Sequence, residues 1–128
     1  MNIDSKDLMI GNLVKFSETN TIFEVTEILN TGLSVESKEE SIWTGISEFE
    51  GVPLSEEILL KCGFDYVKEV GGYCDKNHII YQTNEGWDIM INCLDKCNIE
   101  IKYLHTLQNL IKLLTGNDLD VSKLTNKI

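Results

Sequence analysis

The sequence predicts an α+β fold, with a small bent β-sheet or SH3-like barrel at the N-terminus and a short helix after it. A β-hairpin plus a further strand follows, covered by a C-terminal helix. Three observations carry this prediction. Short apolar runs separated by turn residues fill positions 13–49, a strongly marked helix start and stop lies at 53–63, and an alternating pattern gives way to helical periodicity at 78–114. The 128 residues read as a single compact domain, with a β-rich half at 1–52, helix, hairpin, strand and helix at 53–119, and a frayed polar tail at 120–128. A chain of this length buries roughly two-thirds of its unfolded surface, so folding requires no disulfide or metal.

In the first half, Leu13 to Phe16 reads as a strand closed by the polar turn Ser17 to Asn20. Ile22 to Ile28 sets Phe23 and Val25 against Glu24 and Thr26 in a period-two alternation that Ile28 breaks. Asn30-Thr31-Gly32 is a turn signal and Leu33-Ser34-Val35 starts the return strand. The acidic loop Glu36 to Glu40 precedes Ile42-Trp43-Thr44, and Ile46 and Phe49 continue the apolar pattern.

The helix at Ser55 to Cys62 is specified at both ends. Pro53 stops the preceding strand, Ser55 is a natural N-cap, and Glu56 and Glu57 suit the positive end of the helix dipole. Leu54 and Leu59 occupy the positions of a hydrophobic staple, and Gly63 suits the left-handed residue past the C-terminus. Asn84-Glu85-Gly86 suits a three-residue hairpin loop, which opposes Thr83 to Trp87, Tyr81 to Ile89 and Ile79 to Ile91. That register puts Ile79, Tyr81, Trp87, Ile89, Ile91 and Cys93 on one face. His78, Gln82, Asp88 and Asn92 take the other, with Ile80 and Met90 as apolar exceptions. Ile99, Ile101 and Tyr103 alternate with Glu100 and Lys102 as a further strand. A helix entered near Thr106 then carries the stripe Leu107, Leu110, Ile111 and Leu114 and stops at Gly116.

Composition narrows the chemistry. There are 21 acidic residues against 11 basic ones, all lysine. Residues 1–60 hold 12 acidic residues and 3 lysines, a net of −9, whereas 61–128 hold 9 and 8, a net of −1. Direct nucleic-acid binding needs clustered cations and is not expected. The absence of arginine, with 15 isoleucines and 11 asparagines, points to coding bias in an AT-rich genome. There is no secretory signal and no run of about 18 apolar residues, so a cytoplasmic protein without a membrane span is expected.

In that setting Cys62, Cys74, Cys93 and Cys97 read as free thiols. Cys93-x3-Cys97 has zinc-like spacing, but Cys74, His78 and His105 complete a site only if the fold converges them. No metal, cofactor or catalytic residue is therefore assigned, and no enzyme is expected. Gly71-Gly72 lacks the residues of a phosphate cradle and reads as a turn. His78 reads as a solvent-facing strand residue and His105 as a helix-entrance residue.

The acidic series Glu36, Glu39, Glu40, Glu48 and Glu50, continuing to Glu56 and Glu57 and interrupted by Trp43 and Phe49, has two readings. It is a solvated face with Trp43 turned into the core, or a contact surface for a partner with a basic groove. On the second reading Glu36, Glu39, Glu40, Trp43, Glu48 and Glu50 are the partner-binding residues.

The run Tyr103-Leu104-His105-Thr106-Leu107-Gln108-Asn109-Leu110, continuing to Leu114-Thr115-Gly116, resembles a small protein family common in phages and prophages of Bacteroidetes. Its members carry a Tyr-x-His-x-Leu-Gln-Asn-Leu-Tyr run ending in Leu-Thr-Gly. Ile10-Gly11-Asn12 and the run from Pro53 to Phe64 resemble the family too, so the likeness spans nearly the whole chain. Ile111 departs from it, standing where an aromatic is usual. Most members have no assigned function, so the resemblance brings no catalytic residue.

A small, acidic, phage-borne chain also resembles anti-CRISPR proteins. That likeness implies a host protein with a basic surface as partner, here a type VI-B RNA-guided ribonuclease whose guide or target RNA lies in a basic channel. The other reading in view is a non-enzymatic phage structural or adaptor module that binds another phage or host protein.

Overall fold

The computed structural model describes residues 3–75, 78–84, 86–91, 95–96 and 101–125. Helices and strands are mixed, as the α+β expectation requires. The strands of the first half are β1 (Leu13–Phe16), β2 (Ile22–Ile28), β3 (Leu33–Glu36), β4 (Ser41–Thr44) and β5 (Phe49–Gly51). They form one antiparallel sheet in the order β4-β3-β2-β1-β5, with a 3-10 turn at Ile46–Glu48 leading into β5. This is the strand order of an SH3-like barrel. Its inner face gathers Val14, Phe23, Val25, Leu33, Val35 and Phe49 into a core of its own.

The break that Ile28 makes in the alternation of β2 has a physical cause. The register shifts between Val25 and Glu27, so Val25 pairs Val35 while Ile28 pairs Leu33. Thr26 is the extra residue of a bulge, and the bulge returns Ile28 to the inner face. Asn20 takes a left-handed φ of 62° at the β1–β2 turn, where its N–H donates to the Phe16 carbonyl at 2.7 Å.

Helix α1 spans Glu56–Lys61. The Ser55 hydroxyl accepts the Ile58 N–H at 3.3 Å, and Gly63 takes φ 94° past the end. The staple residues Leu54 and Leu59 are both buried in the same cluster. The second sheet runs β10-β9-β8-β7-β6, from β6 (Asp65–Val67), β7 (Gly72–Cys74), β8 (His78–Gln82), β9 (Trp87–Ile91) and β10 (Asp95–Lys96). The β6–β7 hairpin was not foreseen, and its turn places Gly71 at φ 69°.

The β8–β9 register differs from the expected one by one residue. Gln82 opposes Trp87, Tyr81 opposes Asp88 and Ile80 opposes Ile89. The loop is one residue longer than expected and is closed by the Thr83 N–H on the Gly86 carbonyl at 2.8 Å. Because side chains alternate, the slip reverses every β8 residue relative to β9. Ile80 enters the core at 0 % exposure opposite Ile89, and Tyr81 turns outward to donate to Asp88 at 3.3 Å. His78 is consequently buried, not solvent-facing. The loop residue Glu85, the pair Cys93 and Cys97, and Ile99 and Glu100 of the expected further strand lie outside the described residues. Of that strand, Ile101 and Tyr103 make isolated bridges, to Trp87 and Pro53.

Helix α2 spans Leu104–Thr115, beginning two residues earlier than expected, and ends at Gly116 with φ 78°. Its buried stripe is Leu104, Leu107, Gln108 and Ile111, whereas Leu114 is exposed. These apolar residues join Ile80, Trp87 and Ile89 of the second sheet, Leu59 and Phe64, and Leu13 from the first sheet. The expected frayed tail is corrected in part. Residues Ser122–Thr125 form a short helix α3, and Val121 and Leu124 pack against that shared core. Residues 126–128 lie outside the described residues.

Candidate functional site

The outer face of the first sheet is built by the same alternation that fills its core. Glu24, Glu36 and Ser41 lie in one cross-strand row, and Glu27, Ser34 and Trp43 in the next. Trp43 is 57 % exposed, so the core reading of this residue does not hold. The Ser34 hydroxyl donates to Glu27 Oε1 at 3.2 Å, orienting that carboxylate beside the indole row.

Glu39 and Glu40 sit at the tip of the β3–β4 turn. Ser37 N–H donates to the Glu40 carbonyl at 2.7 Å, and the Ser37 hydroxyl accepts the N–H groups of Glu39 and Glu40 at 3.3 Å each. The tight turn leaves both carboxylates exposed, as is Lys38, the residue before them.

Two of the expected residues stand elsewhere. Glu50 is on β5, at the opposite edge of the sheet from β4, where it pairs with Lys15 at 3.7 Å. Glu48 is exposed on the 3-10 turn that leads into β5. The face therefore brings together Glu36, Glu39, Glu40 and Trp43 and adds Glu24 and Glu27, which sequence reasoning omitted. Glu24 was legible as the outward partner of Phe23 and Val25. Glu27 was not, because the bulge at Thr26 decides which way it faces.

A second feature is a cleft among residues of the second half of the chain. This open cleft of about 690 Å³ is lined by Cys62, Cys74, Asp75, His78 and Asp120 among others. His78 donates its backbone N–H to Asp75 Oδ1 at 2.7 Å, and its ring Nδ1 lies 3.1 Å from the same oxygen. That carboxylate explains how a buried imidazole is accommodated. Burial, and secondarily the Asp120 carboxylate, pushes the Cys62 thiol up to about 11. Cys62 therefore stays protonated near neutral pH and is a poor nucleophile. Among the described residues, no group of three or more His, Cys, Asp or Glu side chains is placed to hold a metal ion. None of their helices is long and apolar enough to cross a membrane.

A third arrangement joins the two motif regions near the chain ends. Gln108 Oε1 accepts the Leu13 N–H at 2.8 Å while its Nε2 donates to the Gly11 carbonyl at 3.0 Å. Asn12 Nδ2 donates to Asn109 Oδ1 at 2.7 Å, and Asn109 Nδ2 donates to the Asp7 carbonyl at 2.9 Å. Asn12 Oδ1 in turn accepts the Met9 N–H at 2.8 Å. This polar seam fastens α2 to the entry of β1, and its amides act as structural links. Beside it, His105 occupies the helix entrance as expected, stacked on Tyr103 with ring centroids 5.6 Å apart. Burial holds its imidazole below the ordinary histidine range, with Asp7 opposing that shift.

No protein-family model, no curated protein and no solved structure matches this chain.

Proposed function

We propose that this protein is a non-enzymatic binding module that docks the outer face of β2, β3 and β4 onto a lysine- and arginine-lined surface of a partner protein. The observation that carries the reading is Trp43, exposed on a face whose neighbouring rows and turn present Glu24, Glu27, Glu36, Glu39 and Glu40. An exposed aromatic supplies a contact that becomes desolvated on docking, and surrounding carboxylates steer a cationic surface towards it. The charge asymmetry between the two halves supports the same orientation, because the net of −9 belongs to residues 1–60.

With the phage-family resemblance, the specific reading is an anti-CRISPR protein that acts in the host cytoplasm. It obstructs guide or target RNA in the basic channel of an RNA-guided effector, a type VI-B ribonuclease. A guide-dependent RNA cleavage assay with the purified effector tests this. Added protein is expected to suppress cleavage, and the triple variant Glu36→Lys, Glu39→Lys, Glu40→Lys to lose most of that suppression. Unchanged cleavage at saturating protein would remove the inhibitor reading, leaving a phage adaptor module as the alternative.

A further inference from the structure

We infer that the open edge of β4 is a strand-addition site, which takes an extended peptide segment alternating basic and apolar residues. The inference rests on the binding face just described and specifies how that face is engaged.

Main-chain direction along β4 follows from the hydrogen bonds and register of the strands beside it. Val25 directs its N–H and C=O towards β1, to the Asn12 carbonyl and the Gly11 N–H, each at 2.8 Å. Val35, directly opposite Val25, must therefore direct its own groups the other way, towards β4. The Ser37 N–H, two residues on, does the same in reaching the Glu40 carbonyl. Val35–Ile42 and Leu33–Thr44 are consequently the hydrogen-bonded pairs between β3 and β4. The main-chain groups of Ser41 and Trp43 point away from β3. Among the described residues β4 pairs with β3 alone, so these groups face an open edge.

The four-residue edge is short but carries no blocking side chain. Ser41-Ile42-Trp43-Thr44 contains no lysine, no proline and no inward charge, the devices by which sheets commonly block pairing. What flanks it is acidic, with Glu39 and Glu40 at the turn and the Glu24–Glu36–Ser41 row on the outer face. A second copy of the chain would bring the same carboxylates to the edge, so charge opposes self-pairing. A strand with lysine or arginine at alternate positions places those cations on the outer face, beside Ser41 and Trp43 and one strand from Glu36. Its intervening residues fall on the inner face beside the half-buried Ile42, where apolar side chains suit.

The probe is a synthetic peptide alternating lysine and valine, titrated into the full-length 15N-labelled protein with amide exchange followed by NMR. The expected result is slowed exchange at the Ser41 and Trp43 amides on binding. Ser41→Pro should weaken the peptide by roughly tenfold while leaving the amide spectrum folded, because proline at the first residue of an edge strand removes an outward donor only. Should that variant fail to fold, a peptide N-methylated along one edge provides the same test against the native chain, with the same expected loss. The inference is overturned by absence of peptide binding, or by binding that leaves both amides exchanging freely. Equal affinity for Ser41→Pro or for the methylated peptide, or protection of those amides by self-association without peptide, overturns it as well. Binding that survives Ser41→Pro but is lost on reversing Glu36, Glu39 and Glu40 removes strand addition while leaving the charged-face reading intact.

Discussion

The two sheets solve the problem of burying a face in opposite ways. The first sheet bends upon itself, so its inner face makes a core from its own strands and flanking turns. The second cannot cover itself. Ile80, Trp87 and Ile89 are buried only because α1, α2 and the β1 residue Leu13 close over them. The other face of the first sheet is closed by the second core at Leu13 and Ile22 but stays open to water towards β4, where Trp43 and most of the carboxylates stand. A sheet that depends on neighbours contributes its face to holding the molecule together. The difference explains why the candidate site lies in the first half and the shared core in the second.

Leu13→Ala tests the dependence most severely. Leu13 belongs to the first sheet by chain but to the second core by packing, at 0 % exposure. Its truncation should cost about 2–5 kcal/mol by denaturant unfolding. Hydrogen-exchange protection should fall further at Ile89 and Leu107 than at Val25 and Val35. Equal loss in both regions would show that the two cores are not separable in this way.

A smaller loss is expected from Gln108→Ala, which leaves the Leu13 N–H and the Gly11 carbonyl without their side-chain partner. Each orphaned group costs about 1–3 kcal/mol if water does not replace the amide. Unchanged stability would mean that the seam is readily solvated and does not secure α2 to β1. The smallest effect on folding should come from Trp43→Ala, within about 0.5 kcal/mol of the native chain because the side chain is exposed. On the proposed inhibitor reading, suppression of effector cleavage should nevertheless weaken markedly in that variant. A large fall in thermal stability would instead make Trp43 a structural residue and blur the contrast between the two faces.

Much of the fold was legible locally. The alternation of Phe23 and Val25 with Glu24, the turn at Asn30-Thr31-Gly32, and the Ser55 and Gly63 caps are patterns of a few residues that the backbone reads directly. The hairpin register was not legible, since Asn84-Glu85-Gly86 is compatible with a loop of either length. What chose between them was the gain from placing Ile80 opposite Ile89, with Asp75 available to satisfy His78. Of the candidate site, Glu36, Glu39, Glu40 and Trp43 were recoverable from one segment of sequence. Glu48 and Glu50 are close to Trp43 in the chain, yet the return of β5 to pair with β1 carries Glu50 to the opposite edge of the sheet.

The sequence by itself determined the α+β class, the positions of most strands, both ends of α1, the stop of α2 at Gly116, and the concentration of negative charge in the first sixty residues. These follow from side-chain period, capping chemistry and simple counting, none of which depends on distant parts of the chain. Tertiary structure decided which way Glu27 and Tyr81 face, that Asn109 meets Asn12 across the molecule, and that β4 ends its sheet among the described residues. Each of those depends on contacts between residues far apart in sequence, where burial and hydrogen bonding select one arrangement from several that local propensity leaves equivalent.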